Sequence, residues 1–332
     1  MVVHSFISNS KTVMKKGLLR FGVAVFIVLT SIVVIDFAVG KTLDWMLPQI
    51  SNQGATGKTY FSLYDVNTPV VIVGSSRASH HYVTQQVEDS IGLPAYNVAR
   101  DGCFFSHNSC VVNSIIDRYN PKLIIWENSC EYLYEGVDDP FVNLYPYYDT
   151  NKWVTAAIKE ELPWNEYTRL NSKIYQYNSV IHRILMRYRS RNSFTEETEK
   201  GYEPLEPKEL IKKLELGPEK LTGTTLSETK VARFDSILSR AEKKGIKMVI
   251  VDSPRYFIRD SINISKDKME EISKKHGMLF IDNTHLPFFM EHDEMFADPT
   301  HMNSNGAEIY TKLFLNQIHD YVSNVSSTKS KR

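Results

Sequence analysis

From Phe21 to Gly40 the chain reads FGVAVFIVLTSIVVIDFAVG, a run broken by one charge, Asp36. Twenty helical residues extend about 30 Å, the hydrocarbon thickness of a bilayer, so this segment dictates where the rest of the chain folds. Lys11, Lys15, Lys16 and Arg20 precede it, and no comparable basic cluster follows. The positive-inside tendency then leaves residues 1–20 as a cytoplasmic tail and sends everything beyond 40 outward. Asp36 falls near the outer interface, within reach of water. The expectation is an uncleaved, single-pass signal anchor in the cytoplasmic membrane. A cleaved signal peptide competes, because Phe21–Ile35 is uncharged and Ala38-Val39-Gly40 is a small-x-small triplet; a buried core helix is the third reading. Under either membrane reading the folded part faces the periplasm or the cell exterior.

The chain has 332 residues, 42% of them hydrophobic, enough for one large domain or two small ones. Its 39 basic side chains balance 39 acidic ones, which provides no electrostatic footprint for nucleic acid, and none is expected as a partner. With 15 Gly and 13 Pro it is neither collagen-like nor of low complexity. Cys103, Cys110 and Cys130 are too few for a disulfide scaffold. An oxidising compartment leaves a Cys103–Cys130 bridge open beside the reading of unpaired core thiols.

Past a connector at 41–66, short apolar runs alternate with helical periodicity. Pro69–Val73 (PVVIV), Ala95–Val98, Leu123–Trp126 (LIIW), Met248–Val251 (MVIV) and Met278–Ile281 (MLFI) read as strands. Residues 82–91 look helical. Val111, Val112, Ile115, Ile116 and Tyr119 recur at helical spacing, with Ser106 as N-cap and Pro121 past the end. Val231, Phe234, Leu238 and Ala241 form a second helical stripe with Gly245 at the C-cap, and 265–275 reads as a polar helix. A final helix carries Tyr310, Leu313, Phe314, Ile318 and Tyr321, with Asn305 as N-cap and Glu308 three residues on. Strands alternating with helices imply an α/β fold, with a mostly parallel sheet covered on both faces.

Residues 131–225 interrupt this rhythm and read as a helical, aromatic insertion capping the sheet's catalytic edge. Nine of the 18 Tyr lie in 131–188, beside Trp153 and Trp164. Rings can stack on sugars, but packing within the insertion is the commoner use. Arg183, Arg187, Arg189 and Arg191 read as a solvated helix face, 192–225 as a charged loose segment, and 326–332 as a disordered tail. The core is thereby divided into 67–130 and 226–325.

Two segments carry chemistry. In VIVGSSRAS, Val71–Ser79, a buried strand runs into a turn of small residues, where a hydroxyl is exposed yet rigidly held. In FADPTHMNSNGAEIY, Phe296–Tyr310, Asp298 and His301 stand three apart ahead of the last helix. A serine hydroxyl is a poor nucleophile without an adjacent base, and that base needs an orienting acceptor; a D-x-x-H turn supplies both.

Together and in this order, the segments resemble the SGNH (GDSL-like) hydrolase superfamily. Gly74-Ser75-Ser76-Arg77 is similar to its first block, with Ser76 at the nucleophile position and Ser75 where many members have Asp. Asn97-Val98-Ala99-Arg100-Asp101-Gly102 is similar to the second and Trp126-Glu127-Asn128-Ser129 falls at the third, with Trp126 and Ser129 in place of the usual Gly and Asp. Asp298-Pro299-Thr300-His301 matches the last block. The resemblance covers about 67–130 and 226–325. It implies a flavodoxin-like three-layer α/β/α sandwich, and a Ser76-His301-Asp298 triad with the Ser76 and Gly102 N–H groups and the Asn128 amide as oxyanion donors. It implies no cofactor and no metal.

The anchored layout and the GSSR sequence look most like envelope acyl-transfer and deacylation proteins, some of which act beside membrane-bound O-acyltransferases. The implied function is an extracytoplasmic serine esterase or O-acyltransferase on acyl, mainly acetyl, esters of cell-envelope or exopolysaccharide glycans. The alternative is a catalytically inactive protein of the same fold that binds glycan or scaffolds polysaccharide assembly. A metal-dependent phosphoesterase using Asp298, His301 and His80 or His81 is a weaker rival, since no tight multi-ligand spacing is present. His80, His81, His107 and His292 otherwise read as structural or surface residues, and Arg77 as orienting the turn or touching substrate.

Overall fold

The computed structural model describes residues 2–137, 140–193, 198–207, 225–257 and 263–326. Most of the charged segment expected at 192–225, and nearly all of the polar tail, lie outside these.

In chain order, helix α1 (Val2–Met46) is followed by a turn of 3-10 helix (Leu47–Ile50), α2 (Gly54–Tyr60), and a π-helical turn (Phe61–Asp65). Strand β1 (Val70–Val73) leads into α3 (Ser76–His81) and α4 (Thr84–Ile91), and β2 (Ala95–Asn97) into α5 (Phe105–Arg118) and β3 (Leu123–Glu127). The insertion carries α6 (Lys152–Glu161), α7 (Trp164–Tyr167), α8 (Lys173–Tyr177) and α9 (Ile181–Ser190). Then come α10 (Glu228–Lys243), β4 (Lys247–Asp252), α11 (Ile264–Lys275), β5 (Leu279–Asp282), α12 (Pro287–Glu291) and α13 (Ser304–Ser326). The five strands form one parallel sheet in the order β2-β1-β3-β4-β5.

Each strand is apolar on both faces because both are covered. Val71, Val73, Ile124, Trp126, Met248 and Ile250 share one core with Phe105 of α5, Phe234 of α10 and Met269 of α11. Trp126 stacks on Phe105 with ring centroids 5.8 Å apart. Val70, Ile72, Leu123, Ile125, Val249 and Val251 share the other core with Ala78 of α3, Val87 of α4 and Tyr310 of α13. Two expected helix starts are corrected. Ser106 lies inside α5, where its hydroxyl bonds the Glu161 carboxylate, and Phe104 holds the N-cap position. In α13 the capping side chain is Asn303, whose Oδ1 accepts the Gly306 N–H at 3.1 Å; Asn305 is already within the helix.

Cys103, Cys110 and Cys130 are buried free thiols. In the insertion Tyr132, Tyr134, Tyr147, Tyr148 and Tyr177 are buried, so these rings pack the interior. Arg183, Arg187 and Arg189 are exposed on α9, and Arg191 lies over the Tyr188 ring at 3.9 Å.

Helix α1 is long and apolar enough to cross a membrane, by length and composition. Apolar side chains are exposed along it from Met14 to Phe37. From Asp36 onward it meets the domain. The Asp36 carboxylate accepts the Ser172 hydroxyl at 2.6 Å and the N–H groups of Lys173 and Ile174 at 2.8 and 2.9 Å, capping α8. A Cβ on Gly40 would meet the Lys173 Cβ at 2.3 Å. Asp44 accepts the Tyr177 hydroxyl at 2.6 Å. Leu43, Leu47 and Ile50 are buried in the same core as Trp126, so residues 41–66 pack as part of the domain.

The β1–α3 turn is equally tight. A Cβ on Gly74 would meet the Ala78 Cβ at 2.6 Å and the Glu127 Cβ at 2.9 Å. Gly74→Ala is therefore expected to destabilise the protein by about 1–3 kcal/mol, as overpacked cores do. A lowered urea midpoint of the detergent-solubilised protein would register it; an unchanged midpoint would contradict the tightness of the turn.

Candidate active site

The carboxyl ends of β1, β3 and β4 line up because the register pairs Val73 with Trp126 and Glu127 with Val251. The chain leaves β1 through Gly74-Ser75 and enters α3 at Ser76. From the other end of the sequence, the turn before α13 brings His301 over the same strand ends. Its Nε2 lies 2.6 Å from the Ser76 Oγ. Its Nδ1 faces Asp298, at 2.9 Å from Oδ2 and 3.1 Å from Oδ1. Ser76 and His301 are 225 residues apart in the chain, so this juxtaposition is the work of the fold.

Burial acts to raise the Asp298 carboxyl, but hydrogen bonds from the His301 ring and the Thr300 N–H outweigh it and hold the group below its ordinary value. An ionised Asp298 fixes the proton of His301 on Nδ1 and leaves Nε2 as an acceptor for the Ser76 hydroxyl.

Beside Ser76 opens a cavity of about 380 Å³, within the range of small-molecule sites. Phe104, Tyr132 and Val137 give it an apolar wall, and Glu131 and Arg255, 3.4 Å apart, a charged one.

Two other residues named from sequence fare differently. Gly102 sits in an exposed turn with φ +67°, tied to α3 by Asp101, whose carboxylate lies 3.3 Å from His80 Nε2. Asn128 does not join the site. It is fully buried with its Nδ2 facing the Met269 Sδ at 3.7 Å, and its Oδ1 has no hydrogen-bond partner among the described residues. Met269 belongs to the core on the far side of the sheet from α3 and α13. The cause is the two-residue period of a strand, which sends residues 124, 126 and 128 to that face and 125 and 127 to the other.

Ser129 is the residue of this segment that lines the cavity, while Glu127 turns toward Arg77 of α3. Glu127 forms a buried cluster with Arg77 and Asp252. Arg77 Nη1 contacts Asp252 Oδ1, Glu127 Oε1 at 3.1 Å and the Ser253 carbonyl at 3.1 Å. The Tyr82 hydroxyl donates to Glu127 Oε2, and the Cys130 N–H to Asp252 Oδ2 at 2.7 Å. Burial pushes the Glu127 carboxyl up against the pull of Arg77, while the paired carboxylates keep Arg77 charged despite its burial. Sequence reasoning passed over this cluster, although a lone acid closing each of two buried strands, Glu127 and Asp252, was its visible mark.

One group among the described residues has metal-ligand spacing. Ligand atoms of His80, Asp101 and Glu203 lie within 4.8 Å of one another. There Glu203 is ion-paired with Lys58, and its backbone carbonyl accepts from His80 Nδ1 at 2.6 Å. No protein-family model matches this chain, and no curated protein sequence does.

Two histidines are held neutral by their surroundings. Burial and the Arg77 charge push His81 well below its ordinary range, and burial and Arg100 bring His107 down to about 3. Below pH 6.5 the unfolded chain takes up protons that the folded one refuses, so stability is full above that value and declines as the pH falls. Each histidine contributes a slope of up to about 1.4 kcal/mol per pH unit. Urea unfolding at pH 7.5 and 5.5 should show the loss, and His107→Gln should halve it; a pH-independent midpoint would refute the neutral assignment.

Proposed function

We propose that this protein is an extracytoplasmic serine esterase or O-acyltransferase acting on acyl esters of cell-envelope glycans through a Ser76-His301-Asp298 triad. The observation that carries the proposal is the 2.6 Å contact between Ser76 Oγ and His301 Nε2, with Asp298 behind the ring. The strand order β2-β1-β3-β4-β5 supports the flavodoxin-like reading of the sandwich.

Ser76 Oγ attacks the ester carbonyl as its proton passes to His301 Nε2. The N–H groups of Ser76 and Gly102 receive the negative charge that develops on the carbonyl oxygen. Collapse breaks the bond to the alcohol, which leaves with the proton from Nε2, and an acyl-Ser76 remains. Water or a sugar hydroxyl then attacks, giving its proton to Nε2, and Ser76 Oγ leaves with that proton. Water as acceptor makes an esterase, a sugar an O-acyltransferase. Asn128 has no part in this scheme.

A fluorophosphonate is expected to add one adduct at Ser76 in the wild type, none in Ser76→Ala, and at least about 10³-fold more slowly in His301→Ala. Mass spectrometry of the tryptic peptide reads this. Absence of a wild-type adduct, with no turnover of an aryl acetate, would leave the non-catalytic glycan-binding reading in its place.

The same proposal keeps α1 as a permanent anchor, with its basic end in the cytoplasm. Cleavage after Gly40 would remove the Asp36 carboxylate that caps α8. The intact mass from membranes should include residues 1–40, and Asp36→Ala should speed protease cutting within 163–193. A mature chain beginning at Lys41 would overturn the anchor.

A further inference from the structure

Ser76 begins a helix, α3, that ends at His81, and His81 is wholly buried. Both of its ring nitrogens are used. Nε2 lies 3.0 Å from the Met302 N–H, which can only donate, so Nε2 is an acceptor and the ring proton sits on Nδ1. Nδ1–H then donates to the Ser253 Oγ at 2.8 Å. That hydroxyl donates a hydrogen bond to Glu127 Oε1 at 3.0 Å, and the Ser253 N–H donates to the same oxygen at 3.1 Å. Glu127 is bound to Arg77, one residue past the nucleophile. Donation runs in one direction, from the peptide bond that follows His301 to the buried ion cluster.

That peptide is gripped from its other side too, since the His301 carbonyl accepts the Ala297 N–H at 2.8 Å. The His81 and His301 ring centroids stand 6.5 Å apart at 78°, edge to face, and both His81 nitrogens are taken by other partners. Its hydrogen bond to the loop is therefore with the backbone. One short helix thus carries the attacking hydroxyl at its first residue and grips the loop of the base with its last.

Resting on the triad reading above, we infer that His81 is a positioning residue: by accepting the Met302 N–H it locks the His301 loop to the helix of Ser76, and so sets the Ser76–His301 distance. Misplacement by about 1 Å costs on the order of 10²-fold in rate. The hold acts chiefly on the chemical step, because His81 does not line the cavity and Thr300 is the one lining residue on the loop it holds.

Two substitutions separate this role from mere packing. In His81→Gln the side-chain oxygen reaches the place of Nε2 and can still accept the Met302 N–H. In His81→Asn the shorter amide can serve Ser253 but falls short of Met302. On the full-length protein in detergent, Asn is expected to lower kcat for an aryl acetate by about 10- to 100-fold with KM within about two-fold, while Gln stays within about five-fold of wild type. Hydrogen exchange of the 296–303 segment should quicken in Asn and remain slow in Gln. A packing role predicts equal losses in the two variants, or Asn the milder, and either result overturns the inference. So does exchange in 296–303 that is unchanged by Asn. The exchange measurement needs no turnover, so a wild type that neither reacts nor labels at Ser76 would defeat the triad while the hold on the loop is still judged.

Discussion

A guanidinium taken out of water must find its charge balanced nearby, and Arg77 finds it at the ends of two neighbouring strands. Glu127 closes β3, Asp252 closes β4, and Arg77 reaches both from the first turn of α3. The sheet register brings those ends level, so the ion cluster fixes where the chain turns after β1. Gly74 permits the turn, Ser76 follows it, and the cavity opens above. The position of Ser76 is therefore a by-product of satisfying a buried charge.

The C-terminal end of α1 is bound in a comparable way, with polar groups that answer each other. Asp36 supplies the acceptors that the first turn of α8 lacks, and Tyr177 reaches back to Asp44. With Leu43, Leu47 and Ile50 in the core, helix and domain share one interior. The insertion does two tasks at once. It grips the long helix through α8, and residues at its beginning, Tyr132 and Val137, wall the cavity.

Much of this was legible in the residues themselves. Every expected strand is present, and for four of the five the reason is a run of four or five apolar residues bounded by turns, which has few other uses in a chain of this pattern. Ser76, Asp298 and His301 were legible because each stands at an element boundary. Asn128 misled because a motif was matched by place in the chain, without counting which side of β3 each residue faces. Glu127 was passed over for the same reason. The helix caps at Asn303 and Phe104 show the ordinary limit: several polar residues near a helix start compete, and backbone geometry decides among them. His81 could not be assigned from sequence, since its partners lie 172 and 221 residues away.

Gly40 has a consequence of its own. Its missing side chain lets Lys173 lie against the backbone of α1, between the contacts made by Asp36 and Asp44. An α-helix turns about 100° per residue, so these three grips agree at only one rotational phase. The stripe of the apolar helix that looks toward the domain is thereby chosen, and every other stripe is left for its surroundings. The domain and the long helix must then swivel as one piece, so any neighbour that takes hold of the bare stripes also decides which way the serine points.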